Sequence, residues 1–197
     1  MIMHTFMRCF LGIACLGLVA CQSPIQQVAP LTVKEAPVGL AVSQINVVLE
    51  DEEGVDESAS WVNLSMTKQV EQWLQSRYRA LGGDEQGTVA IRRVALKSVP
   101  IATTGGLFSN EPKEQYEAVL EVRFEIRDET GFAQKFASAT VRRSAPLPGS
   151  VSLSDRQAIV QQLINETIAQ ADRELLASLR SFLPLLLMES DVIVPQS

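Results

Sequence analysis

Between positions 116 and 126 every second side chain is apolar. Tyr116, Ala118, Leu120, Val122, Phe124 and Ile126 alternate with Glu117, Glu121, Arg123 and Glu125. Successive side chains of an extended chain point to opposite faces, so this spacing spells a strand with one buried face and one wet face. Such a strand needs a sheet to pair in and something apolar to cover its dry face, which excludes an all-helical chain. The segment after it, Arg127 to Gly131, reads as a hairpin turn with Gly131 supplying the positive φ, and Phe132 to Arg143 reads as the returning strand.

The rest of the chain supplies partners for that hairpin. Leu40 to Leu49 predicts a first strand, with Ile45, Val47 and Leu49 alternating against Gln44 and Asn46. Gly87 to Val99 predicts another, whose phase changes between Val89 and Ile91 and Val94 and Leu96; a bulge near Arg92 and Arg93 reconciles the two. Two stretches carry the helical period instead. In the first, from Trp61 to Leu81, Val62, Met66, Val70, Trp73, Leu74 and Leu81 share a face, Ser60 is placed to cap the start, and Gly82 and Gly83 stop it. Its Trp and Met residues at this spacing read as core rather than as a ligand pocket. In the second, Ser154 and Gln157 stand at capping-box spacing, Val160, Leu163, Ile164, Thr167, Ile168, Ala171, Leu175, Leu179, Phe182 and Leu183 lie on one apolar stripe, and Pro184 ends or kinks it. The expected fold is therefore α+β, a two-layer sandwich of about four mainly antiparallel strands with two helices packed on one face, in the order strand-helix-strand-strand-strand-helix. The domain is expected over residues 40–184, with 185–197 as a C-terminal tail too short to span a membrane.

Charge and residue inventory narrow the function more than any motif does. The net charge of −6 argues against a nucleic-acid binder, because phosphate contacts need a basic surface. The acidic run Glu50 to Ser58 lacks the ligand spacing and central glycine of an EF-hand and reads as a solvated loop. Glu117, Glu121 and Glu125 on a wet strand face, interleaved with Arg123 and Arg127, read as cross-strand charge pairing rather than as an acid/base pair. Arg92, Arg93, Arg142 and Arg143 are expected to gather beside that acidic column. The long connection from Pro100 to Pro112 places Leu107 and Phe108 beside two glycines in an otherwise polar setting. They are the candidate partner-contact residues, and packing beneath their own loop is the alternative.

The N-terminus carries the address. Arg8 is followed by an unbroken small and apolar stretch, Cys9 to Ala20, of the length of a signal-peptide core and too short to cross a bilayer comfortably. Its end, Leu18-Val19-Ala20-Cys21, resembles the lipobox of bacterial lipoproteins. That resemblance implies removal of residues 1–20 as a signal peptide and diacylation of Cys21, which becomes the lipidation site and membrane anchor. Residues 21–39, with Pro24, Pro30 and Pro37, are then an extended tether. Two of the three cysteines and the single histidine, His4, leave with the signal. The mature chain so defined has no disulfide, no imidazole general base and no His/Cys zinc site, and no catalytic, metal or cofactor constellation is identified. Gln22 in place of Asp after the cysteine implies, by the same resemblance, the outer membrane facing the periplasm.

The element order behind a lipobox, with the "EQYEAVLEV" strand after a glycine-bearing loop and a terminal helix, resembles the LptE-like lipopolysaccharide-assembly lipoproteins. It is also similar, less closely, to the auxiliary lipoproteins of ABC-type transport systems. The assembly family implies a lipoprotein that plugs a barrel and touches lipopolysaccharide partly through basic residues on loops. Here the long loop holds Leu107 and Phe108 with only Lys113 near it, so lipopolysaccharide binding stays open. The expected function is that of a non-enzymatic, membrane-anchored accessory or assembly factor for an envelope protein complex. The alternative is a module that binds a lipid or small amphiphile in envelope transport.

Overall fold

Tyr116, Ala118, Leu120, Val122, Phe124 and Ile126 are each at most 3% exposed, so the dry face set by alternation is the buried face. The structure is a computed structural model that describes residues 35–50, 55–56, 65–101, 114–127, 130, 132–147 and 151–188. In chain order the elements are β1 (Val38–Leu40), β2 (Gln44–Leu49), β3 (Val55–Asp56), α1 (Met66–Arg77), β4 (Tyr78–Ala80), β5 (Gln86–Pro100), β6 (Glu114–Arg127), β7 (Ala133–Leu147), α2 (Leu153–Phe182), a 3-10 turn (Pro184–Leu186) and β8 (Leu187–Met188). The α+β class holds. The main sheet runs β2-β5-β6-β7 with β3 also beside β5, and a small second sheet runs β4-β1-β8.

The three long strands form an antiparallel meander in which Phe124 stands opposite Val89 on β5 and Ala137 on β7. The register of β5 shifts between Ile91 and Arg93, which is the expected bulge. It keeps Val89, Ile91, Val94 and Leu96 on the same buried face. Strand β2 pairs parallel with β5, as a strand-helix-strand crossover through α1 requires. Helix α2 lies across β6 and β7 while α1 lies over β5 and β2. Trp73, Leu74, Ile164 and Ile168 from the two helices join the strand residues in one core.

Three boundaries differ from the sequence reading, the first two because long-range hydrogen bonds override local propensity; Leu81 and Phe182, expected on the apolar stripes of the two helices, are exposed, since one lies beyond the end of its helix and the other at it. The first expected strand is two strands in different sheets, broken at Ala41–Ser43. Ser43 fixes this corner, its N–H and hydroxyl both donating to the Glu85 carbonyl at 2.8 and 3.0 Å. Gly83 makes the corner possible, since at φ +146° a Cβ there would sit 2.6 Å from the Ala41 carbonyl oxygen.

The first helix ends at Arg77 rather than at Leu81. Tyr78 is already extended, because Tyr78–Ala80 pairs parallel with Val38–Leu40 and sheet hydrogen bonds replace the helical ones. Within the described residues this helix starts after Ser65, whose side chain accepts from the Lys68 N–H at 3.3 Å; Ser60, Trp61 and Val62 lie outside the described residues. The second helix is capped by Ser152, not Ser154. Ser152 Oγ accepts from the Asp155 N–H at 3.2 Å and donates to its carboxylate at 2.7 Å, so the cap stands two residues earlier in the chain than expected.

Candidate functional site

At one end of the molecule α1, α2 and the chain entering β1 converge on a buried charge. Arg77 closes α1 four residues after Trp73 and seven after Val70, so helical period puts it on the apolar stripe. Asp172 sits four residues after Ile168 and three before Leu175, so it too faces the core. Arg77 Nε donates to Asp172 Oδ1 at 2.8 Å and its Nη2 to Oδ2 at 3.0 Å, the bidentate arrangement that suits a planar guanidinium to a carboxylate. Trp73 Nε1 adds a third donor to Asp172 Oδ1 at 3.1 Å.

The same guanidinium reaches the incoming chain. Nη2 donates to Glu35 Oε2 at 2.9 Å and Nη1 to the Ala36 carbonyl. Burial opposes the charge on Arg77, but the hydrogen bond to Asp172 and its charge outweigh that and hold the group above its ordinary pKa. Beside the pair, the Tyr78 hydroxyl is buried without a hydrogen-bond partner among the described residues. Burial, then the charge of Asp172, pushes that phenol well above its usual range. The Asp172 carboxylate accepts three hydrogen bonds, two of them from a guanidinium that it holds in its charged form. The arrangement clamps; it is not an acid/base pair.

Around the clamp opens a cleft of about 730 Å³ whose lining includes Glu35, Val38, Arg77, Leu176, Arg180 and Met188. A second hollow of about 570 Å³ lies beside it, between Ala41 and Glu85 on one side and Phe182–Leu186 on the other. Both are bounded by the end of α2; the first is also lined by Glu35–Pro37, which carry the chain into β1, and the second by Ala41, which follows it. The described fold thus includes Val38 and Gly39 at its start and Leu187 and Met188 at its end.

The opposite face of the main sheet carries the charge pairing expected of it, with one correction. Glu125 is 3% exposed, not wet. Arg127 donates to it at 2.7 Å and Arg123 Nε lies 3.1 Å away, while the Phe136 ring covers the Arg123 guanidinium at 3.7 Å. The hydrogen bond to Glu125 is the largest cause of the raised pKa of Arg127. The four other arginines do not gather there as a group. Arg92 pairs with Glu50 at 2.9 Å, and Arg143 is on the helix side, where it reaches Glu166 at 2.6 Å and Gln170 at 2.9 Å. Arg93 and Arg142 do lie on the acidic side, opposite Glu121 and Val119.

Cys21, Leu107 and Phe108 lie outside the described residues, so the structure does not bring the sequence-predicted sites together. It does place the roots of the loop that carries Leu107 and Phe108. Ile101 and Glu114 stand where β5 ends and β6 begins, at the far end of the sheet from the clamp. The clamp residues escaped the sequence reading, yet a signal existed: Arg77 and Asp172 are single charges on otherwise apolar helical stripes, and buried charges are rarely unpaired. Among the described residues no cluster of His, Cys, Asp and Glu suits a metal ion, and no helix is long and apolar enough to cross a membrane.

No protein-family model and no curated protein matches the chain. Among solved structures it is similar to the uncharacterized lipoprotein B of Nitrosomonas europaea at 12% identity and a TM-score of 0.41, over 75% of this chain and 90% of that one. It is similar to the rare lipoprotein B of Shewanella oneidensis at 17% identity and a TM-score of 0.39, over 70% and 94%. A minor lipoprotein of Acinetobacter baumannii aligns at 10% identity and a TM-score of 0.40, over 68% and 92%.

Proposed function

We propose that this chain is a non-enzymatic, lipid-anchored accessory protein of a bacterial cell envelope, held by Cys21 in the outer membrane on its periplasmic side. On this reading the folded domain presents the loop bearing Leu107 and Phe108 to a membrane-protein partner. The lipobox-like run Leu18 to Cys21 supports the anchor. The observation that carries the geometric part is the Glu35–Arg77–Asp172 clamp, which fixes the chain to the two helices just where a tether from Cys21 would end. A tether fastened there leaves the other end of the sheet, with the roots of the long loop, furthest from the anchor.

Metabolic labelling with a radioactive fatty acid tests the anchor. The parent chain should incorporate label and sediment with outer-membrane fractions, whereas Cys21→Ser should remain unprocessed or soluble. A processed, membrane-bound Cys21→Ser protein would overturn the reading, and sedimentation of labelled parent with the inner membrane would overturn the assignment from Gln22. The cleft of about 730 Å³ beside Arg77 and Arg180 favours a second reading, a binding module for a lipid or small amphiphile. Mass spectrometry of organic extracts from the purified protein separates the two: a stoichiometric lipid other than the anchor favours the module, and co-purification of a membrane protein favours the accessory role.

A further inference from the structure

We infer that the clamp end of the domain is a membrane-contact face, which seats Leu81, Phe182, Leu185 and Met188 against the lipid surface that holds the anchor. These four side chains are 53, 71, 93 and 45% exposed, far more than large apolar groups without an interface need to be. They belong to one end of the molecule. A Cβ on Gly39 would meet the Leu81 side chain and lie 3.9 Å from Met188, so both flank β1. Phe182 and Leu185 line the hollow that includes Ala41, whose N–H donates to the Leu186 carbonyl at 2.7 Å.

Chain length says what covers them. The inference rests on the anchored reading of Cys21 given above. Residues 22 to 34 separate that cysteine from Glu35, a link that spans at most roughly 50 Å. Helix α2 has 30 residues and is therefore about 45 Å long. A link that reaches no further than about the length of the domain leaves the end it joins as the end nearer the bilayer. That end carries the four exposed apolar side chains. Arg79, Arg180 and Lys135 are exposed at this end beside Glu35, Asp84 and Glu85, so the contact rests on the apolar side chains rather than on net charge. Apolar side chains dipping into the headgroup boundary add to a lipid anchor in the way a second signal does.

The test uses the full, processed protein reconstituted into vesicles of phosphatidylethanolamine and phosphatidylglycerol, with and without bromine on the acyl chains. Leu185→Trp and, at the far end, Ile101→Trp are the reporters. Flotation comes first: protein that floats confirms attachment, and protein that stays behind removes both the anchor and the contact. In floated samples the emission that Leu185→Trp adds to that of the parent, which carries Trp61 and Trp73, should be quenched at least three-fold more by brominated chains than the emission that Ile101→Trp adds. Equal quenching of the two reporters overturns the contact face while leaving the anchor standing. A blue shift of Leu185→Trp that grows with protein concentration in vesicle-free detergent assigns this end to a second copy of the chain, and that too overturns the inference.

Discussion

Arg77 Nε donates to Asp172 Oδ1 at 2.8 Å, joining the last residue of α1 to the middle of α2, with both side chains about 95% withdrawn from water. Removing one partner of such a pair strands the other charge in the core and costs about 3–5 kcal/mol. Replacing both by apolar groups of similar volume restores most of that loss. Asp172→Ala should therefore lower the denaturation midpoint sharply, whereas the double variant Arg77→Met, Asp172→Leu should fold within about 2 kcal/mol of the parent. Urea titrations of the three proteins decide it. Equal losses in the single and double variants would show that the geometry of the ion pair itself, not relief of a buried charge, holds the helices together.

Tyr78 predicts an alkaline limit. Its phenol is held neutral in the folded state by burial and by Asp172, while in the unfolded chain it ionises near its ordinary value of about 10. Below that pH both states keep the proton and stability does not change through this group. Above it the unfolded state alone releases the proton, so stability falls as pH rises. Tyr78→Phe keeps the edge-to-face contact with Trp73 at 6.4 Å between ring centres and removes a buried hydroxyl that has no hydrogen-bond partner among the described residues. The variant should match the parent within about 0.5 kcal/mol at neutral pH and exceed it above pH 10. Melting curves against pH for the pair would contradict this if the two declined in parallel.

Strand β6 allows its two faces to be compared by substitution. Leu120→Asp places a charge in the core and should prevent folding. Glu121→Ala removes a half-exposed acid and should cost less than about 1 kcal/mol. Glu125→Ala falls between them, at about 1–3 kcal/mol, because it deprives Arg127 of a buried hydrogen-bond acceptor and Arg123 of its ion-pair partner. Thermal melts should rank the variants in that order. A Glu125→Ala melt equal to that of Glu121→Ala would return Glu125 to the wet set.

For the long loop, replacing Leu107 and Phe108 together by Ser should leave melting and circular dichroism nearly unchanged and abolish capture of the membrane partner, because a few apolar anchors carry most of an interface's energy. Removal of two such side chains from a packed core would instead cost several kcal/mol. A clear fall in melting temperature therefore returns both residues to packing.

The sequence by itself determined the repeating parts. Alternation assigned the buried face of β6 residue by residue, the phase change in β5 located the bulge between Ile91 and Arg93, and helical stripes placed Trp73, Leu74, Ile164 and Ile168 in the core. These follow from fixed periods of 2 and 3.6 residues, which a single segment carries within itself. Only the tertiary structure decided where the elements stop. Tyr78 leaves the helix because β1, nearly forty residues earlier, offers it sheet hydrogen bonds, and Ser43 turns a corner because Glu85 accepts from it. The Arg77–Asp172 clamp is of the same kind. Each charge is visible on its own stripe, but their meeting depends on how α1 and α2 lie against each other, and the reach to Glu35 depends on where β1 enters. Such contacts join residues far apart in the chain, and no local period encodes them.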